Sequence, residues 1–282
     1  MRRKKISAKI IFYFKNYYSP CLTTITVMTH VRAKKHLGQH FLRDLEVAGR
    51  IASSLPLDGY SRVLEIGPGT GVLTRFLVQN PQINLTAVEI DKEFAIFLRT
   101  HFPQLDLLEA DFLKMDLNAF SAEKFSIIGN FPYNISSQIF FKILEHREKI
   151  PYVVCMIQKE VAERMAAGAG NKTYGILSVL MQAYYSIDYL FTVHEHVFEP
   201  PPKVKSAVIL LKRNETKALN CDETLFKQIV KTAFNQRRKQ LRNSLKPLLG
   251  KENKIFNCEI FNKRPEQLSV QEFVNLTVLV EG

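Results

Sequence analysis

An apolar run leads directly into a glycine-rich turn at Val63-Leu64-Glu65-Ile66-Gly67-Pro68-Gly69-Thr70-Gly71. The run at 62–66 has the length of a buried strand, and the apolar spacing over 72–79 predicts a helix after the turn. Glycines at the end of such a strand let the backbone approach a ligand with no Cβ in the way. The stretch therefore predicts a strand, a turn and a helix that belong to a parallel sheet.

The alternation of strands and helices continues on both sides of this turn. A helix that Asp44 caps and Pro56 stops precedes it. Later strands are predicted at 84–89, 105–109, 125–129 and 152–158, with helices at 92–101 and 136–146. A helix at 174–185 and two strands at 187–193 and 206–211 follow, and these strands suit antiparallel pairing at the sheet edge. The pattern predicts an α/β fold whose mostly parallel sheet has helices on both faces.

A polar stretch separates this region from a C-terminal part that is predicted to be all-helical. Residues 214–222 contain no long apolar run and are predicted to be a linker. The apolar spacing beyond them predicts helices at 225–234, 236–249 and 270–280. The chain is thus divided into an N-terminal extension at 1–31, a catalytic domain at 32–213 and a helical domain at 223–282.

The positive charge of the chain is concentrated in two short stretches. The formal net charge is +12, from 39 Lys and Arg against 27 Asp and Glu. Residues 1–30 hold six basic residues and 227–246 hold seven, and neither stretch contains an acid. An ordinary solvated helix face interleaves both signs, so the second stretch indicates a surface for a polyanion. The phosphate-contacting residues are predicted to be Arg237, Arg238, Lys239 and Arg242.

Several classes of protein are excluded by simple counts. The four cysteines are too far apart for a CxxC pair, which fits a reducing, cytoplasmic setting. The uncharged stretch at 173–187 is too short and too polar for a membrane span. His194 and His196, with Glu195 between them, lead into a proline-rich loop, and we interpret them as solvated residues rather than as metal ligands. No metal site and no membrane partner are predicted.

The basic N-terminal extension has three interpretations. It resembles an organelle transit peptide in being basic and free of acids, and it is equally compatible with an unstructured arm. The third interpretation is that translation starts at Met28, so that residues 1–27 are not part of the protein.

Three positions after neighbouring strands suggest which ligand the sheet binds. The turn has the spacing GxGxG rather than GxGxxG, because position 72 is valine, and this favours S-adenosylmethionine over a dinucleotide. Glu89 ends the next strand, where an acid accepts hydrogen bonds from both hydroxyls of a ribose. Asp111 follows the third strand and suits the exocyclic amine of the cofactor adenine. A nicotinamide-dependent dehydrogenase is disfavoured by the same spacing.

The most specific motif is Gly129-Asn130-Phe131-Pro132-Tyr133-Asn134, which follows the fourth strand. Methylation of an adenine N6 requires a lone pair that is normally delocalised into the ring. The Asn130 side-chain oxygen and the backbone carbonyl at Pro132 can accept the two N6 hydrogens and favour a nucleophilic nitrogen. Tyr133 offers a ring on which an extruded base stacks. Transfer from a sulfonium then depends mainly on proximity.

The motif at Asn130 and four other segments resemble those of the ribosomal RNA adenine dimethyltransferases of the KsgA/RsmA type. The segments are Leu37-Gly38-Gln39-His40-Phe41-Leu42, the glycine-rich turn, the run from Phe198 to Val208 and the basic run from Ala233 to Leu245. The resemblance spans about 32–280. It implies a Rossmann-like SAM-dependent methyltransferase fold with a helical C-terminal domain. It also implies dimethylation of N6 of two adjacent adenosines near the 3′ end of 16S rRNA, in the small subunit, during ribosome biogenesis.

The same resemblance implies the residues that serve the reaction. The family's SAM contacts correspond here to His40, Leu42, Gly67, Glu89, Asp111 and Asn130, and Gly69 belongs to the same turn. Position 40 departs from the family's usual Asn, although a neutral His also donates and accepts. Phe198 corresponds to a second aromatic that helps hold the target base, with a core Phe as the alternative.

Two alternatives share the fold and part of the motif set. One is a large-subunit rRNA adenine N6-methyltransferase of the macrolide-resistance type, which the segment from Phe198 and the basic C-terminal run disfavour. The other is a non-catalytic assembly or transcription factor, which the intact motif at Asn130 disfavours. The expected protein is a monomer whose partner is rRNA.

Overall fold

The computed structural model describes Lys34 and residues 38–250 and 253–282. Ala33–Gly282 form one compact unit. The interpretations of the extension at 1–31 fall on residues outside the described part of the chain and stay predictions.

A seven-stranded sheet forms the centre of the described chain, beside a small antiparallel pair. The strands are β1 (Phe41–Leu42), β2 (Arg62–Ile66), β3 (Asn84–Glu89), β4 (Asp106–Glu109), β5 (Ser126–Asn130), β6 (Tyr152–Gln158), β7 (Tyr185–Val193), β8 (Phe198–Glu199) and β9 (Ser206–Arg213). The order across the large sheet is β4-β3-β2-β5-β6-β9-β7, and β1 pairs with β8. The neighbouring strands β4, β3, β2, β5 and β6 run parallel to one another. This mostly parallel sheet confirms the predicted fold class.

The helices lie between and after these strands. They are α1 (Leu45–Ser53), α2 (Thr74–Leu77), α3 (Lys92–His101), α4 (Leu117–Phe120), α5 (Ser136–Glu145), α6 (Lys159–Ala166), α7 (Ile176–Gln182), α8 (Glu223–Asn235), α9 (Leu241–Ser244), α10 (Lys246–Leu249) and α11 (Val270–Glu281). The predicted cap is present, because the Asp44 side chain accepts from the amides of Glu46 and Val47. The helix predicted at 72–79 is shorter than expected, because residues 71–73 form a turn.

Both faces of the sheet are covered, so neighbouring residues of one strand belong to different apolar clusters. Leu64 packs in the larger cluster and Val63 in the smaller one. Val153 and Val154 divide between the clusters in the same way. Such two-sided burial is the reason that these strands are continuous apolar runs in the sequence.

The chain order reverses direction at β2. From β2 the chain steps to β3 and β4 on one side and returns to β5 and β6 on the other. The carboxyl ends of β2 and β5 therefore flank a crevice, which is where open α/β sheets bind ligands. Gly67 follows β2 and Asn130 ends β5, so the two predicted motifs meet at this crevice.

The far edge of the sheet is antiparallel, as predicted. Strand β9 pairs antiparallel with β6 on one side and with β7 on the other. A register irregularity lies between Tyr189 and Phe191 in β7. The first residue of β9, Ser206, lies opposite Gln158, which places it at the same edge of the sheet as the crevice.

The prediction of one helix over 236–249 is wrong. Helix α8 ends at Asn235, a turn spans 236–240, and the short helices α9 and α10 follow. Cations four residues apart, such as Arg238 and Arg242, repel each other on a helix. Pro247 lies at the start of α10, because proline is not accommodated in a helix interior.

The C-terminal helices share an apolar cluster with the sheet. Phe226 and Phe273 lie in the same cluster as Leu180 and Val153, and the rings of Tyr174 and Phe234 are 6.1 Å apart. Helix α8 packs against α7, α9 and α11. The domain boundary at 214–222 stays a prediction. The segments before and after this stretch are packed against each other.

Candidate active site

A cavity of about 300 Å³ lies at the carboxyl ends of β2, β3, β4 and β5. It brings together all the residues that were predicted to hold the cofactor: His40, Leu42, Gly67, Gly69, Glu89, Asp111 and Asn130. Pro132 and Tyr133 line it as well. The volume is at the lower end of what small-molecule sites have.

The glycine-rich turn leaves open space on the cavity side. Gly67 has φ +64°, a backbone conformation that favours glycine, and a Cβ built there meets no atom within 4 Å. Because Gly67 lines the cavity, a side chain at this position would take room that a bound molecule needs. The turn therefore has the form of a cradle for a ligand.

Glu89 fixes the turn and faces the cavity. Its Oε2 accepts from the Gly69 amide at 3.0 Å, and its Oε1 accepts from the Asp91 amide at 2.9 Å. The residue is only 4% exposed, and burial raises the pKa of the carboxyl. Each carboxylate oxygen has a second lone pair, so the group retains acceptor capacity for two hydroxyls.

Glu65 is a cavity residue that sequence reasoning missed. Its carboxyl is 1% exposed and accepts from the Thr74 hydroxyl at 2.8 Å. Burial raises its pKa to about 8, with the nearby Glu89 adding to the effect. The sequence contains a signal for Glu65, because an acid within an apolar strand is rarely buried unless it has a partner or a function.

Asp111 begins a short 3-10 turn at 112–114 that forms one wall of the cavity. Its Oδ1 accepts from the Leu113 amide at 2.9 Å. The largely buried Lys142 of α5 reaches this wall and donates to the carbonyl of Leu113 at 3.0 Å and to that of Met115. Burial lowers the pKa of Lys142. Sequence reasoning missed Lys142, since no pattern links it to a segment about thirty residues away.

The amide of Asn130 is oriented by the backbone of residue 40. Its Nδ2 donates to the His40 carbonyl at 3.0 Å, which leaves Oδ1 as the acceptor end of the amide. His40 is itself fixed, because its Nδ1 lies 2.8 Å from the Pro200 carbonyl. A carbonyl only accepts, so Nδ1 of the ring carries the hydrogen of this bond.

Tyr133 is held between two chain segments. Its ring centroid lies 5.4 Å from that of His40. Its hydroxyl is 2.5 Å from the Ser206 hydroxyl at the start of β9, and burial raises its pKa. The ring is only partly buried and lines the cavity, so one side remains available for a stacked base.

The structure places Phe198 away from the cavity lining. The residue is 3% exposed, packs in the smaller apolar cluster and lies opposite Leu42 in the β1–β8 pair. Its role in holding the target base stays a prediction.

Residues 38–40, just before β1, line one side of the cavity, and Asp91 binds both Gln39 and Lys34. Lys34 Nζ lies 2.8 Å from Asp91 Oδ1 and 3.0 Å from Glu93, and Gln39 donates to Asp91 Oδ2 at 3.4 Å. The pKa of Lys34 is raised by its hydrogen bond to Asp91 first and to Glu93 second. Sequence reasoning missed this contact because the partners are 57 residues apart.

The predicted phosphate-contacting residues lie on the turn at 236–240 and just beyond it. Arg238 and Lys239 are exposed. Arg237 and Arg242 are partly buried and donate to the Asn171 carbonyl and to the Asn262 side chain. Two of the four cations thus have structural partners, and two point to solvent.

The described residues hold neither a metal cluster nor a helix that could span a membrane. Within 34, 38–250 and 253–282, no group of three or more His, Cys, Asp or Glu is arranged to hold a metal ion. In the same part of the chain, no helix has the length and apolar character needed to cross a bilayer.

Comparison with known proteins decides between the classes that share this architecture. The family model described as "Ribosomal RNA adenine dimethylase" matches residues 30–279. The chain belongs to this family. Its enzyme class is that of the family, a methyltransferase acting on adenine in ribosomal RNA.

Relatives within the rRNA adenine dimethylase family match over nearly their full length. A protein of Bacteroides thetaiotaomicron called "Ribosomal RNA small subunit methyltransferase A" is 60% identical over 90% of this chain and 96% of its own. A protein of the same name from Cytophaga hutchinsonii is 58% identical over 90% of this chain and all of its own. The matched region contains the whole cavity.

Solved structures of related enzymes have the same fold. A dimethyladenosine transferase from Plasmodium falciparum superposes with a TM-score of 0.71, at 24% identity, over 85% of this chain and 96% of its own. The 23S rRNA methyltransferase ErmE superposes with a TM-score of 0.63, at 26% identity, over 84% and 99%. Both of these enzymes therefore share the fold of this chain.

Proposed function

We propose that this protein transfers methyl groups from S-adenosylmethionine to N6 of two adjacent adenosines near the 3′ end of 16S rRNA, as a step of small-subunit biogenesis. The observation that carries the proposal is the cavity itself, in which Asn130, Pro132 and Tyr133 lie beside Glu89 and Asp111. The names of the relatives that are 58–60% identical support the small subunit as the substrate.

The cavity residues fit S-adenosylmethionine, which supplies an electrophilic methyl group when bound. Glu89 would accept from the ribose hydroxyls, and Asp111 from the adenine amine. Gly67 leaves room for the cofactor beside the backbone of the turn, and Gly69 lines the same cavity. His40, Leu42 and Asn130 line the remaining wall. The open space at Gly67 is the structural feature that supports this fit.

The chain prepares the target amine through hydrogen bonds rather than through a titrating base. Asn130 presents Oδ1, because its Nδ2 is engaged by the His40 carbonyl. Together with the backbone carbonyl at Pro132, this oxygen accepts the two N6 hydrogens and draws the lone pair out of the ring. Tyr133 stacks on the extruded base, and its bond to Ser206 keeps the ring in place. Phe198 is proposed to support the target base from the β8 side.

The basic turn serves as the RNA-binding surface. Arg238 and Lys239 are exposed and suit phosphate contacts, and Arg237 and Arg242 contribute charge from partly buried positions. The helices at 223–282 are proposed to present this turn, with 214–222 as the connection from the catalytic part at 32–213. We propose that the protein acts as a monomer in the cytoplasm, where subunits are assembled.

Label transfer followed by mass mapping of the modified nucleosides tests the proposal. Small subunits that lack the mark are incubated with labelled S-adenosylmethionine and the protein, and the expected product is N6,N6-dimethyladenosine at two adjacent positions of 16S rRNA. Asn130→Ala is expected to lose most of the activity, whereas Asn220→Ala, at an exposed position of the predicted linker, is expected to keep it. Label on large-subunit RNA, or on no RNA, would refute the proposal in favour of a 23S enzyme or a non-catalytic factor.

A further inference from the structure

The loop between β8 and β9 carries an exposed apolar side chain between two exposed lysines. Lys203, Val204 and Lys205 follow the buried Pro202, and Val204 is 47% exposed. Among the described residues, neither lysine takes part in an ion pair. The proposed methyl transfer gives no role to these three residues.

Hydrogen bonds at both ends tie this loop to the cavity. At one end the Pro200 carbonyl accepts from Nδ1 of His40 at 2.8 Å. At the other end the Ser206 hydroxyl is 2.5 Å from the hydroxyl of Tyr133. His40 and Tyr133 both line the cavity, so the loop is fixed beside the position proposed for the target adenine.

A second recess of about 360 Å³ lies next to the loop. It is lined by Gln158, Lys159, Glu160, Glu163, Val204 and Lys205. Gln158 pairs with Ser206 across β6 and β9, and the Lys159 amide donates to the Lys205 carbonyl at 2.9 Å. The recess therefore lies on the protein surface directly beside Ser206, the residue that holds Tyr133, because Lys205 of its lining is the preceding residue.

The charges around the recess favour an anionic partner. Glu163 pairs with Lys159 at 3.3 Å, and Glu160 pairs with Arg164 at 2.7 Å, so each acid is balanced by a neighbour. Lys203 and Lys205 then leave the surface with a net positive charge. Phosphates neutralised by Lys are the usual positioning contacts of nucleic acids, and an apolar side chain commonly packs where a base has been unstacked.

We propose that Lys203, Val204, Lys205 and the adjoining recess hold the RNA strand that flanks the target adenosine. The two lysines neutralise the flanking phosphates. Val204 packs against the neighbouring base and fills the stacking position that the extruded adenine vacates. The inference rests on the proposed function, because it takes an RNA with an extruded adenosine as the substrate.

A salt titration tests the two lysines. Binding of a fluorescent RNA hairpin that carries the two adenosines in its loop is measured for wild type, for Lys203→Gln/Lys205→Gln and for Lys217→Gln. Lys217 is an exposed lysine beyond the opposite end of β9. The slope of log K against log salt is expected to fall by about 1.4 for the double variant, at about 0.7 per contact, and by much less for the control. Equal slopes in the double variant and wild type would overturn the assignment of the lysines.

A fluorescent base tests Val204 separately. Small subunits carrying 2-aminopurine at the target position emit strongly when that base is unstacked. Val204→Ser is expected to lower this emission several-fold at saturating protein while the salt slope stays that of wild type. Val278→Ser is the matched control, because Val278 is 46% exposed on α11. Unchanged emission from Val204→Ser, with wild-type cofactor binding by calorimetry, would overturn the role of Val204.

Different results refute the proposed function and the flanking-strand surface. Wild-type protein that methylates no rRNA would refute the proposed function, whatever the variants do. Wild-type protein that dimethylates 16S rRNA, with loop variants that match it in salt slope and emission, would refute only the flanking-strand surface.

Discussion

Gly67 permits a test of the cofactor position with a single methyl group. Its φ is +64°, it lines the cavity, and a Cβ built there meets no atom within 4 Å. Gly67→Ala therefore adds a methyl group to the cavity without a clash inside the protein. Gly59 is the matched control, because its φ is +79°, its built Cβ is equally free and it is not part of the cavity lining.

The two variants are expected to be equally destabilised and to differ in cofactor binding. Alanine in left-handed backbone costs roughly 1–2 kcal/mol, so each variant loses about that much free energy of unfolding. For a chain of this size the melting temperature falls by roughly 2–8 °C. A methyl group forced against a bound molecule costs roughly 1–3 kcal/mol more, which weakens cofactor binding about 5- to 150-fold in Gly67→Ala alone.

Calorimetric titration with S-adenosylmethionine and with its demethylated product, beside thermal unfolding without ligand, measures both effects. If Gly67→Ala binds the cofactor as tightly as Gly59→Ala, the cofactor does not lie against this turn and its proposed position is refuted. If Gly67→Ala instead unfolds far more easily than Gly59→Ala, the open space at Gly67 is structural rather than a binding feature.

Three further outcomes are expected. The pKa of Glu65 is about 8 in the folded chain against 4.5 ordinarily, so the folded state binds the proton more tightly and stability falls as pH rises through this range; thermal unfolding of Glu65→Gln should show a weaker fall than wild type. Lys142→Met should raise the Kd for S-adenosylmethionine about tenfold, with kcat at saturation nearly unchanged, since it removes two bonds to the cavity wall; a fall in kcat at unchanged Kd would contradict this. Arg238→Gln/Lys239→Gln should lower the salt slope of RNA binding by about 1.4 to 1.8, and an unchanged slope would move the RNA surface elsewhere.

The strands were predictable because burial on both faces leaves an unmistakable apolar run. The predicted bounds of β2, β3 and β6 coincide with the observed ones. The cavity residues were predictable for a related reason, since the carboxyl ends of parallel strands meet at one edge. A motif placed after each strand therefore implied a common site before any distance was known.

The features that were missed depend on contacts between distant segments. The β1–β8 pair consists of two-residue strands, which are too short to have a periodic pattern. Lys34 meets Asp91, and Lys142 meets Leu113, through folding alone. The prediction of a helix at 236–249 was wrong because it rested on the spacing of apolar residues alone. That spacing takes no account of the repulsion among the cations of the segment.

The apolar cluster shared by the sheet and the C-terminal helices joins the cavity and the basic turn at 236–240 in one packed unit. The proposed function gives these two places different parts of one RNA, with the target adenosine at Asn130 in the cavity and phosphates at Arg238 on the turn. An RNA whose adenosine and phosphates reach both places gains a second attachment at high effective concentration, whereas an RNA of another shape reaches only one of them. Under the proposed function, the distance between the target adenosine and the phosphates at the turn therefore contributes to the choice of adenosine, in addition to the contacts beside the cavity.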